Sequence, residues 1–202
     1  MKFADVAAAH IHDVKNRLFA LSARAEGTGD REMVLGLIEA ATTLSQLLTL
    51  YKRETGDHRL DVRDACPADL VEELAAGARA LSPLTIETDT AGAPPFWFYD
   101  EALVRLALHD ALHNALRHAR GRVRLSARLD GDRLVFEVRD DGPGYARAIL
   151  EGVSARPEHA LGTGLGLALA RDIAAAHGQD GERGELCLAN EGGAVFSLRL
   201  PR

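Results

Sequence analysis

Asp140-Asp141-Gly142-Pro143-Gly144, followed by Gly162-Thr163-Gly164-Leu165-Gly166-Leu167 at the head of an apolar stretch, constrains this chain more than any other feature. Glycines in such turns reach φ > 0 and let the main chain come close to a flat group. The carboxylate leading the first turn can accept a hydrogen bond from an exocyclic amine. The second turn opens into residues 165–173, and a helix N-terminus offers unpaired N–H groups and partial positive charge to phosphates. One glycine-rich turn alone is more often an ordinary surface turn than a site. Two in this order, one led by a carboxylate and one opening a helix, point to a nucleotide.

Composition bounds that reading. The 202 residues, 47% hydrophobic and 27% charged, suit one domain with a substantial appendage or two small domains of a soluble protein. A net charge of −6 excludes a nucleic-acid binder that relies on a broad basic surface. Cys66 and Cys187 stand far apart without a CxxC partner, which excludes a disulfide framework and fits a reduced cytoplasmic setting. No apolar run reaches the ~18 residues of a membrane span, and residues 1–5 lack a signal-peptide core, so neither membrane insertion nor a sensor of the chain's own is expected.

Residues 2–54 read as two helices. Ala7, Ile11, Val14, Leu18, Leu21 and Ala25 form one heptad seam; Val34, Leu37, Ala41, Leu44, Leu48 and Tyr51 form another. The short, glycine-bearing link 26–30 folds them back antiparallel. Two helices enclose little apolar surface, so a second copy is expected to complete a four-helix bundle, making a homodimer; the lesser alternative is that the rest of the chain covers them. A composition shift near residues 55–60 divides the chain into 1–56 and 57–202. Beyond it the pattern predicts a short strand over Arg59 to Arg63, a helix over Pro67 to Leu81, a strand over Thr85 to Asp89 and a helix from about Asp100 to His118. Hairpins follow around Asp130-Gly131 and across Glu191-Gly192-Gly193. Between them lie a loop over 145–161 and a helix over about 165–177, capped by Gly178. The fold class is α+β: a helical hairpin followed by a two-layer sandwich with a mixed, mainly antiparallel sheet.

The helix before the first glycine turn brings Asp110, Asn114 and either Arg117 or His118 to one face, with Leu103, Leu106, Ala107, Leu112 and Leu116 as the opposite seam. Carboxylate and amide oxygens suit Mg²⁺, and a guanidinium suits phosphate.

Asp110-x-x-x-Asn114-Ala115-x-Arg117-His118 resembles the N box, Asp140-x-Gly142-x-Gly144 the G1 box, and Gly162-x-Gly164-Leu165-Gly166-Leu167 the G2 box of the Bergerat-fold ATPases. That group comprises histidine kinases, gyrase-type enzymes, heat-shock chaperones and mismatch-repair ATPases. The resemblance spans roughly residues 59–202. It implies that Asp140 receives the adenine amine of ATP, that Asn114 coordinates Mg²⁺, and that Thr163, Gly164, Leu165 and Gly166 hold phosphates. Arg147, Arg156 and His159 are the candidate phosphate contacts of the loop, which lacks the phenylalanine-containing box of many histidine kinases.

His10-Ile11-His12-Asp13-Val14-Lys15-Asn16 resembles the H box of histidine kinases. A phosphoacceptor must be exposed and neutral, and His12, next to the seam residue Ile11, meets the first condition. Asp13 can orient its ring or take its proton, and Asn16, one turn on, can position a water for phosphatase activity. Ile11 follows His10 where the motif has an acid, which ranks His10 second. Little chain precedes His12, so input is expected from a separate sensor protein. The resemblance implies a compact cytoplasmic histidine kinase that phosphorylates His12 from ATP and serves a response-regulator receiver domain. The competing readings are a histidine phosphotransfer protein with a non-catalytic ATPase-like docking domain, and a Bergerat-type serine kinase or anti-sigma switch.

Overall fold

A computed structural model describes residues 60–151, 165–178 and 181–202, with Val14, Leu18, Leu21, Met33, Gly36, Leu37, Ala40 and Leu44 as single helical positions nearer the N-terminus. The expected helical hairpin, its bundle and its dimer interface otherwise lie outside the described residues. The chain divides into two units, Met1–Arg59 and Leu60–Arg202, and the elements below belong to the second.

In chain order they are β1 (Arg63–Ala65), α1 (Pro67–Leu81), β2 (Thr85–Asp89), β3 (Trp97–Tyr99), α2 (Glu101–His118), β4 (Arg122–Asp130), β5 (Arg133–Asp140), α3 (Arg147–Leu150), α4 (Leu165–Ala176), β6 (Glu185–Asn190) and β7 (Ala194–Leu200). Five strands form a sheet in the order β2-β4-β5-β7-β6, with β2 parallel to β4 and every other pair antiparallel. Period-two alternation decides its faces. Val123, Leu125 and Ala127 of β4, Leu134, Phe136 and Val138 of β5, and Phe196, Leu198 and Leu200 of β7 are buried. In register they pair as Val138 with Phe196, Phe136 with Leu198 and Leu134 with Leu200. Against them pack Leu70, Val71 and Leu74 of α1, Val104, Leu108 and Leu112 of α2, and Leu169 and Ile173 of α4. The result is helices on one face of a twisted sheet.

The other face carries charge. Arg124 meets Asp89, Arg139 meets Glu137 and Glu191, and Arg199 meets Asp130 and Glu185. A shallow depression of about 480 Å³ lies there, around Arg124, Arg128 and Arg139. Those arginines are all paired with carboxylates, the arrangement of a solvated sheet face.

Four local expectations need correction. The first strand is Arg63–Ala65, not Arg59 to Arg63, and it pairs antiparallel with Trp97–Tyr99, which the pattern read only as a lead into α2. A three-residue strand is too short to show alternation. In α2, Leu106 and Leu116 are only half-buried; the buried stripe runs through Leu103, Val104, Ala107, Leu108, Ala111, Leu112 and Ala115. The loop after the first glycine turn contains the single-turn α3. Gly178 does not adopt the left-handed conformation of a helix cap. It is needed because a Cβ there would strike the Glu182 carbonyl.

Candidate nucleotide site

The site gathers at one end of the antiparallel pair α2 and α4, where β5 runs out into the first glycine turn. Asp140 is the last residue of β5. Its Oδ1 accepts N–H bonds from Gly142 (2.7 Å) and Ala194 (3.2 Å). Among the described residues nothing donates to Oδ2. Two main-chain donors thus orient the carboxylate and leave one oxygen to receive an amine. Gly142 is buried, and a Cβ there would press on the carbonyl of His118 at the end of α2. Gly144 has φ +82°, and a Cβ on it would lie 2.6 Å from Asn190 Oδ1. Both glycines are required, one by contact and one by conformation as well.

Asp141, next along, does something else. Its Oδ1 accepts the N–H groups of Arg120 (2.8 Å) and Gly121 (3.1 Å), tying the turn to the loop between α2 and β4. Those main-chain bonds, led by Gly121, hold its carboxyl below the usual range.

On α2, Asn114 Nδ2 donates to Asp110 Oδ2 at 3.2 Å. The expected pairing of these two on one face is therefore present, and the bond commits the amide nitrogen while leaving the amide oxygen for a ligand. Asp110 lies against Gly166 of α4, so closely that any Cβ at Gly166 would collide with its carboxylate. This contact seats the N-terminal turn of α4 beside the Asp110–Asn114 face. Arg117 and His118 are exposed in the last turn of α2, where cations also suit the helix dipole. Arg147, a candidate phosphate contact, pairs with Glu151 at 2.6 Å. Leu165 opens α4. Thr163, Gly164, Arg156, His159 and the proposed phosphoacceptor group His12, Asp13 and Asn16 lie outside the described residues.

Two residues that the motifs did not flag join the site. The Tyr145 side chain is half-buried with its phenol pushed well above its usual range, first by burial and then by the nearby Asp140 and Asp110 carboxylates. Asn190, at the end of β6, accepts the Tyr145 N–H at 2.8 Å and donates to the Tyr145 carbonyl at 2.9 Å. The two lie 45 residues apart, which hides the pairing from local pattern.

The described residues thus supply a carboxylate with one oxygen uncommitted and, beside the first turn of α4, a carboxylate–amide pair. Residues 99–202 match the family model described as histidine kinase-, DNA gyrase B- and HSP90-like ATPase. The chain belongs to that family. Its relatives lie in the histidine kinase branch. It is 35% identical over 112 residues to the signal transduction histidine-protein kinase AfsQ2 of Streptomyces coelicolor, covering 51% of this chain and 20% of the relative. It is 44% identical over 88 residues to the sensor histidine kinase GtrS of Pseudomonas aeruginosa, covering 40% and 17%. The chain thus spans about a fifth of the length of these curated relatives. The solved ATP-binding domain of PrrB from Mycobacterium tuberculosis superposes with a TM-score of 0.57 at 29% identity, over 70% of this chain and 97% of that one. The family resemblance read from the N, G1 and G2 boxes is borne out, and with it the Bergerat-type α/β fold. No helix among the described residues is long and apolar enough to cross a membrane.

Proposed function

We propose that the chain is the kinase core of a two-component system: ATP bound beside Asp140 phosphorylates His12, and the phosphoryl group passes to an aspartate of a response-regulator receiver domain. The observation that carries the reading is the Asp140 carboxylate, oriented by the N–H groups of Gly142 and Ala194 with Oδ2 left over. It is the geometry of a group that reads an exocyclic amine. Asp110 and Asn114 supply one carboxylate and one amide oxygen. That set suits Mg²⁺, which keeps waters and takes its other ligands from substrate phosphates. Mg²⁺ would neutralise charge on the phosphates; the residues themselves bind, orient and exclude water.

In this reading His12 is the phosphoacceptor, Asp13 orients it or takes its proton, and Asn16 positions a water when the protein acts as a phosphatase. The N-terminal helices form the homodimer, and the protein works in the cytoplasm. The test is incubation with radiolabelled ATP and Mg²⁺. Acid-labile, base-stable label that vanishes in His12→Ala is the expected result. Nucleotide binding with no label would favour the histidine phosphotransfer reading, and label on a partner's serine that ignores His12→Ala would favour the serine-kinase reading.

A further inference from the structure

The β6–β7 hairpin grips the first glycine turn at three successive points. Glu191 takes Arg139 just before the turn, at 2.7 Å. Ala194 N–H holds Asp140 itself. Asn190 holds Tyr145 just after it, through both the N–H and the carbonyl of that one residue. The last contact is the unusual one. A side-chain amide that satisfies both main-chain groups of a single residue imitates a strand partner, so Tyr145 is held as a strand residue would be, on the far side of the glycine turn that follows β5. Gly144 makes this possible: its φ of +82° turns the chain, and the missing Cβ leaves room for the Asn190 amide.

We propose that Asn190 is a positioning residue for nucleotide binding: its amide clamps the Tyr145 main chain and so fixes the far end of the first glycine turn, whose near end carries Asp140. The inference rests on the reading of this site as an ATP site. Asn190 acts through Tyr145 and is not itself assigned a contact with the ligand.

The experiment uses the full chain and a non-hydrolysable ATP analogue with Mg²⁺, titrated by calorimetry into wild type, Asn190→Ala and Asn190→Asp. Amide hydrogen exchange at Tyr145 is read in the ligand-free proteins. Asn190→Ala is expected to weaken analogue binding about fivefold or more, the scale set by two lost hydrogen bonds, and to speed exchange at Tyr145. In turnover assays the KM for ATP should rise with kcat at saturation unchanged. Asn190→Asp keeps the acceptor for the Tyr145 N–H and loses the donor to its carbonyl, so it should retain amide protection and bind at intermediate strength. Wild-type affinity in Asn190→Ala, while wild type itself saturates, overturns the inference and leaves the ATP site standing. No saturation in wild type overturns the ATP reading and the inference with it. Should Asn190→Ala fail to fold by circular dichroism, Asn190→Asp decides, and wild-type affinity there overturns the clamp.

Discussion

Two aspartates stand at opposite ends of the α2–α4 pair, and they are held in different ways. Asp100 is the N-cap of α2 and is 5% exposed. Its Oδ1 accepts Leu103 N–H (3.1 Å) and its Oδ2 accepts Asp61 N–H (3.0 Å). Its own N–H donates to Nε2 of the buried His177 (3.0 Å), whose Nδ1 meets the Ile173 carbonyl at 2.7 Å. Since Nε2 accepts, Nδ1 must carry the proton, so the ring is neutral and one tautomer. Every polar atom of this knot is committed within the protein. At the other end, Asp140 concentrates two donors on one oxygen and offers the second outward. A carboxylate with both oxygens filled by the main chain holds the fold together. One oriented through a single oxygen keeps the other for a ligand. Exposure alone does not separate the two, because Asp141 is more open than Asp100 and yet serves a loop.

The sharpest way to break this comparison is to remove each carboxylate and watch what is lost. Asp100→Ala takes away a helix cap and leaves the Asp61 N–H without its acceptor, a cost of about 2–3 kcal/mol. The melting temperature should fall by about 5–10 °C, measured by calorimetry. Below the transition, ATP-analogue affinity should stay within about twofold of wild type. Asp140→Asn should do the reverse. The melting temperature barely moves, while analogue binding weakens about tenfold, the scale of one hydrogen bond to a charged group. If Asp100→Ala abolished binding without destabilising, the division of labour between the two ends would be wrong.

Acid offers a milder test. Burial pushes the His177 pKa below its ordinary value, and it does the same for His109. A lowered folded pKa means that the unfolded chain takes up the proton first. The stability contribution is therefore complete above the ordinary histidine range, near 6.5, and is lost as pH falls below it towards the folded values. Urea midpoints should decline from pH 7.5 to 5.5. His177→Gln should flatten part of that slope and leave the part due to His109. A slope unchanged in His177→Gln would remove His177 from the account.

The smallest effect is expected at Tyr99. It is fully buried against Phe136, and its hydroxyl has no hydrogen-bond partner among the described residues. Tyr99→Phe removes an unsatisfied polar atom, so stability should hold or rise by up to about 1 kcal/mol in urea titration.

What the sequence made legible follows from where each cause lies. The helices over residues 67–81 and 101–118, both hairpins and the mixed sheet were readable because their periodicity and turn glycines are local. Gly131, with φ +63° between β4 and β5, is one such signal. Asp140, Gly142, Gly144 and the Asp110–Asn114 pair were readable for the same reason. The Asp100–His177 knot was not, since its partners lie 77 residues apart. Nor was Asn190, which reads in sequence only as the last residue of a strand. Tyr145 was passed over as the start of a loop, although it lies directly after Gly144. Its place appears only once the β6–β7 hairpin brings Asn190 to its main chain.

The central claim is that Asp140 reads an amine. Inosine triphosphate replaces the adenine amine with a carbonyl oxygen and keeps the sugar and phosphates. Competition calorimetry of ATP against inosine triphosphate, with Mg²⁺ and the full chain, therefore probes the base edge that carries the amine, where N1 also changes from acceptor to donor. ATP should bind at least about tenfold more tightly in wild type, because the analogue faces the carboxylate with another acceptor. In Asp140→Asn the preference should fall towards unity or invert. Equal binding of the two nucleotides to wild type would contradict the account.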